Sequence, residues 1–339
     1  MSLSCAGWTV PEAPAARPSP RRRADDLAAA ARLAVAVVCL LAACAAFLTV
    51  GARNPVRVLP FRLPRLGALL CVGWTSGAST VMFQTVTGNR ILTPSVLGLD
   101  ALYALIQALM LIALGAAGAA LPDLGVFALT VAVMIGAGAG LTALVLRGRR
   151  SATTLVLLGI VLGTFLRANT TFIQRLLDPN TYLVLQNRLF ASFNSVDTRL
   201  LVASLALTAL ASLASVRDLR ALDVVALGPD TATALGVDHR RVSRRIIVLV
   251  TVLVSVSTAL VGPILFLGLL VAHLAYWAAR TDRHVVTVPM AALVAMVVLV
   301  GGQTLLAHAL GNETVLSVVI EFLGGLALIV LLIRSGRRS

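Results

Sequence analysis

The chain contains no lysine, and all 28 of its basic residues are arginines. A P-loop nucleotide site needs a lysine that reaches the phosphates of the bound nucleotide, so this chain does not carry such a site itself. If ATP drives its activity, we expect a partner chain to hydrolyse the ATP. We therefore expect no cofactor in this chain, with ATP and Mg²⁺ held by that partner.

Charged residues are scarce, at 12% of 339 residues, while 59% are hydrophobic. Soluble domains carry about 25% charged residues. Runs without Asp, Glu or Arg lie at 33–52, 66–89, 101–122, 124–146, 246–279 and 285–307. A helix needs about 20 apolar residues to cross a bilayer, whereas a β-barrel would show short alternating segments. The sequence therefore predicts an all-α polytopic membrane protein.

Potential metal ligands are few and dispersed. The four cysteines, Cys5, Cys39, Cys44 and Cys71, do not have the spacing of a metal site. His273 lies on an apolar helix, where a hydrogen-bonded packing role is commoner than metal binding, and the other three histidines are scattered. We therefore predict no metal site.

Ten apolar segments account for most of the chain. We predict spans at about 27–50, 63–87, 96–120, 123–146, 151–174, 197–216, 241–260, 263–279, 285–308 and 314–333. Residues 1–26 are rich in proline and arginine, which predicts a disordered tail before a transmembrane domain at 27–339.

Arginine is distributed unequally between the two ends of these spans. With the N-terminus inside, 20 arginines lie in cytoplasmic segments and seven lie outside. This bias predicts that both termini are cytoplasmic. The net charge of +14 would also suit nucleic-acid binding, but the arginines gather at the ends of apolar runs. We therefore expect contact with membrane lipid and none with nucleic acid.

The longest predicted cytoplasmic loop is 217–245. Its GPD tripeptide at 228–230 suits a helix start, because proline fits the first turn and an acid there faces the positive helix end. Gly236 is placed to end that helix in a left-handed turn, and Asp238 to cap the next one. The residues alone are equally compatible with a docking element and with a solvated loop.

This loop also carries a recognisable motif. The pattern LG…A..LG is formed by Leu227, Gly228, Ala232, Leu235 and Gly236. It resembles the coupling loop, about 217–240 here, of permease subunits in iron-siderophore and vitamin B12 ABC importers. Segments similar to that family follow in its order: FRLPR at 61–65, TPSVLGLDALYAL at 93–105, FASFNSV at 190–196, GPILFLGLLVAHLAY at 262–276 and LSVVIEFLGGLALIVLLIR at 316–334.

The resemblance implies a type II ABC importer permease fold with about ten transmembrane helices and no catalytic residue. It implies two ABC ATPase subunits, a second permease that is either a paralogue or another copy of this chain, and an extracytoplasmic substrate-binding protein. Arg62 and Arg65 would face glutamates of that binding protein, and interfacial snorkelling is the other interpretation of these arginines. The setting would be the bacterial cytoplasmic membrane.

Four polar residues within spans are candidates for the translocation pathway, namely Arg167, Asn169, Thr170 and Glu321. A charge within the membrane is costly and usually faces a cavity or a partner. Arg167 could contact an anionic iron chelate, or it could pair structurally with Asp178 or Glu321. Asp100 is the other acid near the membrane zone, where it could simply cap a helix.

The sequence therefore predicts the permease subunit of an ATP-driven importer of ferric siderophores that works by alternating access. Haem or cobalamin would be the other cargoes within this class. A proton-coupled secondary transporter is the main alternative, and it would depend on Glu321 or Asp100. A membrane enzyme should have catalytic polar residues clustered at one membrane face, and the sequence shows no such cluster.

Overall fold

The computed structural model describes residues 20–51, 55–114, 123–147, 152–194, 196–309 and 316–336. These residues form thirteen α-helices and a single 3₁₀ turn at Pro94–Leu97, with no β-strand among them. The prediction of an all-α fold is confirmed.

Ten of the helices correspond to the ten predicted spans, although α1 and α2 begin seven and eight residues earlier than predicted, and α6, α8 and α9 lie between spans. The helices are α1 (Pro20–Thr49), α2 (Pro55–Thr87), α3 (Leu99–Leu114), α4 (Asp123–Arg147), α5 (Ala152–Gln174), α6 (Pro179–Leu189), α7 (Thr198–Val216), α8 (Leu219–Val225), α9 (Pro229–Ala234), α10 (His239–Val261), α11 (Leu267–Ala279), α12 (His284–Ala309) and α13 (Leu316–Gly336).

Length and composition separate the membrane helices from the connecting ones. Seven helices in the described ranges are long and apolar enough to cross a membrane, namely α1, α2, α4, α5, α7, α10 and α12. The described parts of α3, α11 and α13 are shorter apolar helices. The remaining three, α6, α8 and α9, have between 6 and 11 residues, too few to cross.

Helix α1 begins earlier than the sequence analysis placed its first span. Residues 20–26 belong to the helix and not to a disordered tail, whereas residues 1–19 of the predicted tail lie outside the described residues. Pro20 suits the first helical position, since its fixed φ angle is already helical. Arg283 pairs with Asp26, which ties this first part of α1 to the segment before α12.

Two spans begin later than predicted. The third was expected from about 96, but the 3₁₀ turn and Gly98, at φ +78°, precede a helix that begins at Leu99. The eighth was expected from 263, but α11 begins at Leu267 after Phe266, which has a φ of +60°. Left-handed backbone cannot continue a right-handed helix, so each helix starts after its turn.

The centre of the bundle is α2, the most deeply buried of the seven long membrane helices. It packs closely along α12 through Gly73 and Gly77. A Cβ atom on Gly77 would lie 2.3 Å from the carbonyl oxygen of Ala291, and one on Gly73 would lie 2.8 Å from the Cα of Met296. Small residues permit this approach of two backbones, which is how membrane helices gain packing contacts without a hydrophobic driving force.

The predicted docking residues lie on two faces at opposite ends of the membrane helices. The α8–α9 face carries α8, α9, the last turn of α2 and the first turns of α10 and α12. The opposite face carries the end of α1, the start of α2 and the segment 190–196.

The α2–α12 contact predicts a position-dependent effect of alanine. Gly77→Ala should lower the free energy of unfolding of the purified protein in detergent by about 1–3 kcal/mol, and its melting temperature with it, because the new methyl group meets the α12 backbone. Gly301→Ala, on α12, is the matched control, since nothing lies within 4 Å of a Cβ there. That change should be neutral or slightly stabilising, because alanine favours helix by up to about 1 kcal/mol over glycine. Equal melting temperatures for the two variants would contradict the packing.

Candidate functional site

The predicted cytoplasmic loop at 217–245 contains, as expected, a short helix, a glycine that ends it and the start of a second helix. Gly228, at φ +95°, precedes α9, Pro229 takes its first position, and Gly236 follows at φ +79°. Asp238 then caps α10 by accepting a hydrogen bond from the backbone N–H of Arg241 at 3.0 Å. The segment is therefore an ordered element of the α8–α9 face.

Helix α8 was not predicted, although its sequence carries a signal. Its apolar residues Leu219, Leu222 and Val225 recur every three positions, and all three are buried. The helix is held at its start by Asp218, whose carboxylate accepts a hydrogen bond from Arg245 on α10 at 2.8 Å. The α8–α9 pair is thus anchored to the ends of the membrane helices.

The residues of the LG…A..LG motif divide between two sides of α9. Ala232 is fully buried, whereas Leu227 and Leu235 are 58% and 60% exposed. Ala232 packs inward and supports the helix. We use the name docking surface for Leu227, Leu235 and the open backbone at Gly228 and Gly236, where an added Cβ would meet nothing within 4 Å.

Positive charge surrounds this docking surface. Six exposed arginines lie on α10, on α8 or beside them: Arg217, Arg220, Arg240, Arg241, Arg244 and Arg245. Asp230 is the exposed acid of α9. The face therefore offers two exposed leucines within a cationic border, an arrangement suited to binding another protein.

On the opposite face, Arg62 and Arg65 bind backbone carbonyl groups. Arg62 donates to the carbonyl oxygens of Phe47 at 2.6 Å and Val50 at 3.0 Å, which lie at the end of α1. Arg65 donates through Nε to the carbonyl of Asn194 at 3.0 Å. The two arginines are half-buried, so they join three segments of the chain in addition to any role toward a partner.

The three candidate residues of α5 differ in exposure. Arg167 is exposed, Asn169 is half-buried and Thr170 is buried. Asn169 and Thr170 donate hydrogen bonds to the carbonyls of Phe165 and Leu166 in their own helix. Of these three side chains, Arg167 is the most accessible to a ligand.

Arg167 does not form the ion pair with Asp178 or Glu321 that one interpretation expected; no such pair occurs in the part of the chain that the structure describes. Asp178 instead caps α6, accepting from the backbone N–H groups of Asn180 and Thr181. These hydrogen bonds, with that from the Thr181 side chain, lower the pKa of Asp178 from its ordinary value.

Asp100 lies within electrostatic range of two charged side chains from other helices. Asp100 on α3 experiences the charges of Arg167 on α5 and Glu321 on α13. Glu321 is half-buried and interacts with the backbone of Leu265, in the turn before α11. The fold therefore places Asp100 near two charged residues that lie far from it in the sequence.

Asp100 borders a small polar cavity of about 40 Å³. Hydroxyl groups line much of it, from Ser76, Ser79, Thr80, Thr93, Ser95, Ser257 and Thr258. Several of these hydroxyls donate to carbonyls of their own helices, as Thr80 does to Ser76 at 2.8 Å. The Oδ2 atom of Asp100 is enclosed and has no hydrogen-bond partner among the described residues. The sequence did not indicate this cavity, because its lining comes from separate segments.

In the described ranges, no three His, Cys, Asp or Glu side chains lie close enough together to hold a metal ion. The Nδ1 atom of His273 lies 2.9 Å from the carbonyl oxygen of Leu269, one turn earlier in α11.

Comparison with known proteins places these features in a family context. A model of the FecCD transport family matches residues 44–334. The petrobactin import system permease protein YclO of Bacillus subtilis is 38% identical over 305 residues, which cover 89% of this chain and 96% of YclO. The ferric enterobactin transport system permease protein FepD of Escherichia coli is 32% identical, with 83% of each chain covered.

The fold is shared with a solved structure of a metal-chelate type ABC transporter in an inward-facing conformation. The TM-score is 0.78 at 22% sequence identity, and the match covers 90% of this chain and 99% of the other. The predicted type II ABC importer permease fold and the resemblance to iron-siderophore permeases are confirmed.

The contacts of Arg62 predict a structural effect that is independent of any partner. Arg62→Ala should lower the melting temperature of the purified protein, because two carbonyls at the end of α1 lose a charged donor worth about 1–3 kcal/mol. Arg57→Ala is the control, since Arg57 is exposed on the same helix. If both variants unfold at the same temperature, the capping role of Arg62 is wrong.

Proposed function

The chain belongs to the FecCD transport family, and we propose from this that it is the permease subunit of an ATP-driven importer of ferric siderophores. The observation that carries the proposal is the docking surface, which holds two exposed leucines on a rigid pair of short helices in a chain that lacks a P-loop lysine. An ATPase subunit on a partner chain would bind there, which makes the α8–α9 face cytoplasmic and the opposite face extracytoplasmic.

The arginine distribution supports this orientation. The α8–α9 face carries many of the arginines that the positive-inside rule assigns to the cytoplasm. Asp26, near the start of α1, pairs with Arg283 at the same face, which supports a cytoplasmic N-terminal side as well. An even number of spans brings the C-terminus to that side.

The printed names of several relatives support a ferric chelate as the cargo. They include permeases for petrobactin, ferric enterobactin, iron(3+)-hydroxamate and Fe(3+) dicitrate. We propose that the chelate stays non-covalently bound throughout and that no covalent chemistry occurs in this chain. Arg167 would attract an anionic chelate to the pathway, while Asn169, Thr170 and Glu321 would line it.

Transport would proceed by alternating access within an assembly of two permeases, two ATPases and a binding protein. ATP binding would close the ATPases and push on the docking surface, and the membrane helices would then change between outward- and inward-facing arrangements. Arg62 and Arg65 lie at the face where the binding protein would deliver the chelate. Their positive charge would mainly increase the rate of encounter with acidic groups on that protein.

A proton-coupled secondary transporter is the second candidate, and one observation favours it. The enclosed Asp100 has an oxygen without a hydrogen-bond partner in the described structure, and such a carboxyl group could carry a proton. Uptake by this chain alone, driven by a pH gradient without any ATPase, would support that function instead.

The docking surface predicts a loss of ATPase binding. Leu227→Asp with Leu235→Asp should weaken co-purification of the ATPase by about tenfold or more, because two exposed apolar anchors become charged. Leu27→Asp is the control, since Leu27 is 72% exposed on α1 at the same face but is not part of the docking surface. Normal ATPase binding and uptake in the double variant would contradict this assignment.

Cargo selection predicts which ligands stimulate ATP hydrolysis in the reconstituted importer. Binding protein loaded with a ferric siderophore should stimulate hydrolysis severalfold, whereas haem and cobalamin should not. Ferric petrobactin, enterobactin, hydroxamate and citrate complexes are the test set, with the iron-free siderophores as controls. Stimulation by haem or cobalamin alone would overturn the cargo assignment and leave the ATP-driven importer standing.

A further inference from the structure

The structure contains a polar connection between the docking helices and the two central membrane helices. Asp223 lies on α8, next to the buried Leu222, and His284 is the first residue of α12. The Oδ1 atom of Asp223 accepts a hydrogen bond from the backbone N–H of His284 at 2.7 Å and lies 2.6 Å from its Nδ1 atom. On the other side of the ring, Nε2 lies 2.6 Å from the hydroxyl oxygen of Thr85, in the last turn of α2.

The ring of His284 contacts both neighbouring helices through its two nitrogen atoms. Nδ1 faces the carboxylate of Asp223 on α8, and Nε2 faces the hydroxyl of Thr85 on α2, which also lies 2.9 Å from the carbonyl oxygen of Val81. A hydrogen bond to a carboxylate is stronger than one between neutral groups.

The contact between Asp223 and His284 is largely shielded from solvent. His284 is buried, with 6% of its side chain exposed, and Asp223 is about two-thirds covered. Two other ion pairs lie near this point, Arg90 with Asp282 and Arg283 with Asp26. Both are exposed on each side, and neither includes a residue of α8 or α9. The carboxylate of Asp223 also lies at the N-terminus of α12, where the helix dipole favours negative charge.

The elements on either side of the connection are closely packed. At the link between α8 and α9, the N–H of Gly228 donates to the carbonyl of Val225 at 3.0 Å, and the buried Ala232 holds α9 in place. Helices α2 and α12 approach backbone to backbone at Gly77, so they form one packed unit. Asp223 and His284 join the docking helices to this unit by hydrogen bonds.

We propose that Asp223, His284 and Thr85 form a coupling bridge that transmits motion of the docking surface to α2 and α12. These residues contact neither cargo nor nucleotide; they act as positioning residues. The inference rests on the function proposed above, because it assigns to the bridge the mechanical link between ATP hydrolysis and rearrangement of the membrane helices.

Substitutions at Thr85 test the bridge with little change of shape. Thr85→Val removes the hydroxyl group and should lower the number of ferric chelates imported per ATP hydrolysed by about fivefold, at the low end of measured coupling between sites. Thr85→Ser restores the hydroxyl and should return the ratio to that of the unmodified protein. The matched control is Thr87→Val, because the Thr87 hydroxyl binds only carbonyls of its own helix, those of Phe83 and Gln84.

The experiment uses the complete importer in proteoliposomes, with loaded binding protein outside and ATP inside. A purely structural role for Thr85 would reduce hydrolysis and uptake together and leave their ratio unchanged, which would overturn the proposal. Asp223→Asn should also reduce the ratio, because the charge that holds His284 is lost. Where that variant does not assemble, the Thr85 series still decides.

Failure of this inference can be distinguished from failure of the proposed function. If the unmodified importer takes up ferric chelates with ATP while Thr85→Val and Thr87→Val give the same ratio, only the coupling bridge is wrong. If the unmodified assembly shows no chelate-dependent hydrolysis or uptake, the proposed function is wrong, and the bridge as a coupling device is wrong with it.

Discussion

The close approach of α2 and α12 is the contact on which the other features of the bundle depend. Gly73 and Gly77 allow the two backbones to touch, and this contact brings the end of α2 beside the start of α12. The packing places Thr85 within reach of His284, and it provides a surface on which α8 can pack. A larger side chain at either glycine would move these helix ends apart, because a membrane interior supplies no hydrophobic force to press separated helices together.

Arginine has more than one role in this chain. Its distribution along the sequence follows the positive-inside rule, yet several arginines also complete the hydrogen bonding of backbone ends. Arg32 donates to the carbonyl of Ala279 at the end of α11, and Arg62 donates to carbonyls at the end of α1. Helix ends leave carbonyl groups without intrahelical partners, and a guanidinium group with five donors can satisfy them. A structural contact and a docking role for Arg62 are therefore compatible on the same side chain.

The proposed transport cycle separates the points where energy and cargo enter. In that cycle energy would enter at Leu227 and Leu235, which the buried Ala232 and the helix α8 hold in position. Cargo would enter from the opposite face and pass Arg167 and Glu321, which lie on two different helices. Between these regions lies the packed pair of α2 and α12. A stiff pair of helices suits this position, because a flexible element would absorb displacement instead of transmitting it.

The sequence alone determined the all-α membrane class, the ten apolar helices and the helix, glycine stop and helix of the coupling loop. These features depend on local properties, namely apolar run length, proline and glycine backbone preferences and charge at helix ends. The tertiary structure decided which side of α9 Ala232 occupies, and that Arg167 lies near Asp100 without an ion pair to Asp178 or Glu321. It also decided the partners of His284, which lie 61 and 199 residues away in the chain. Such contacts follow from how the helices pack, and no spacing within one helix encodes them.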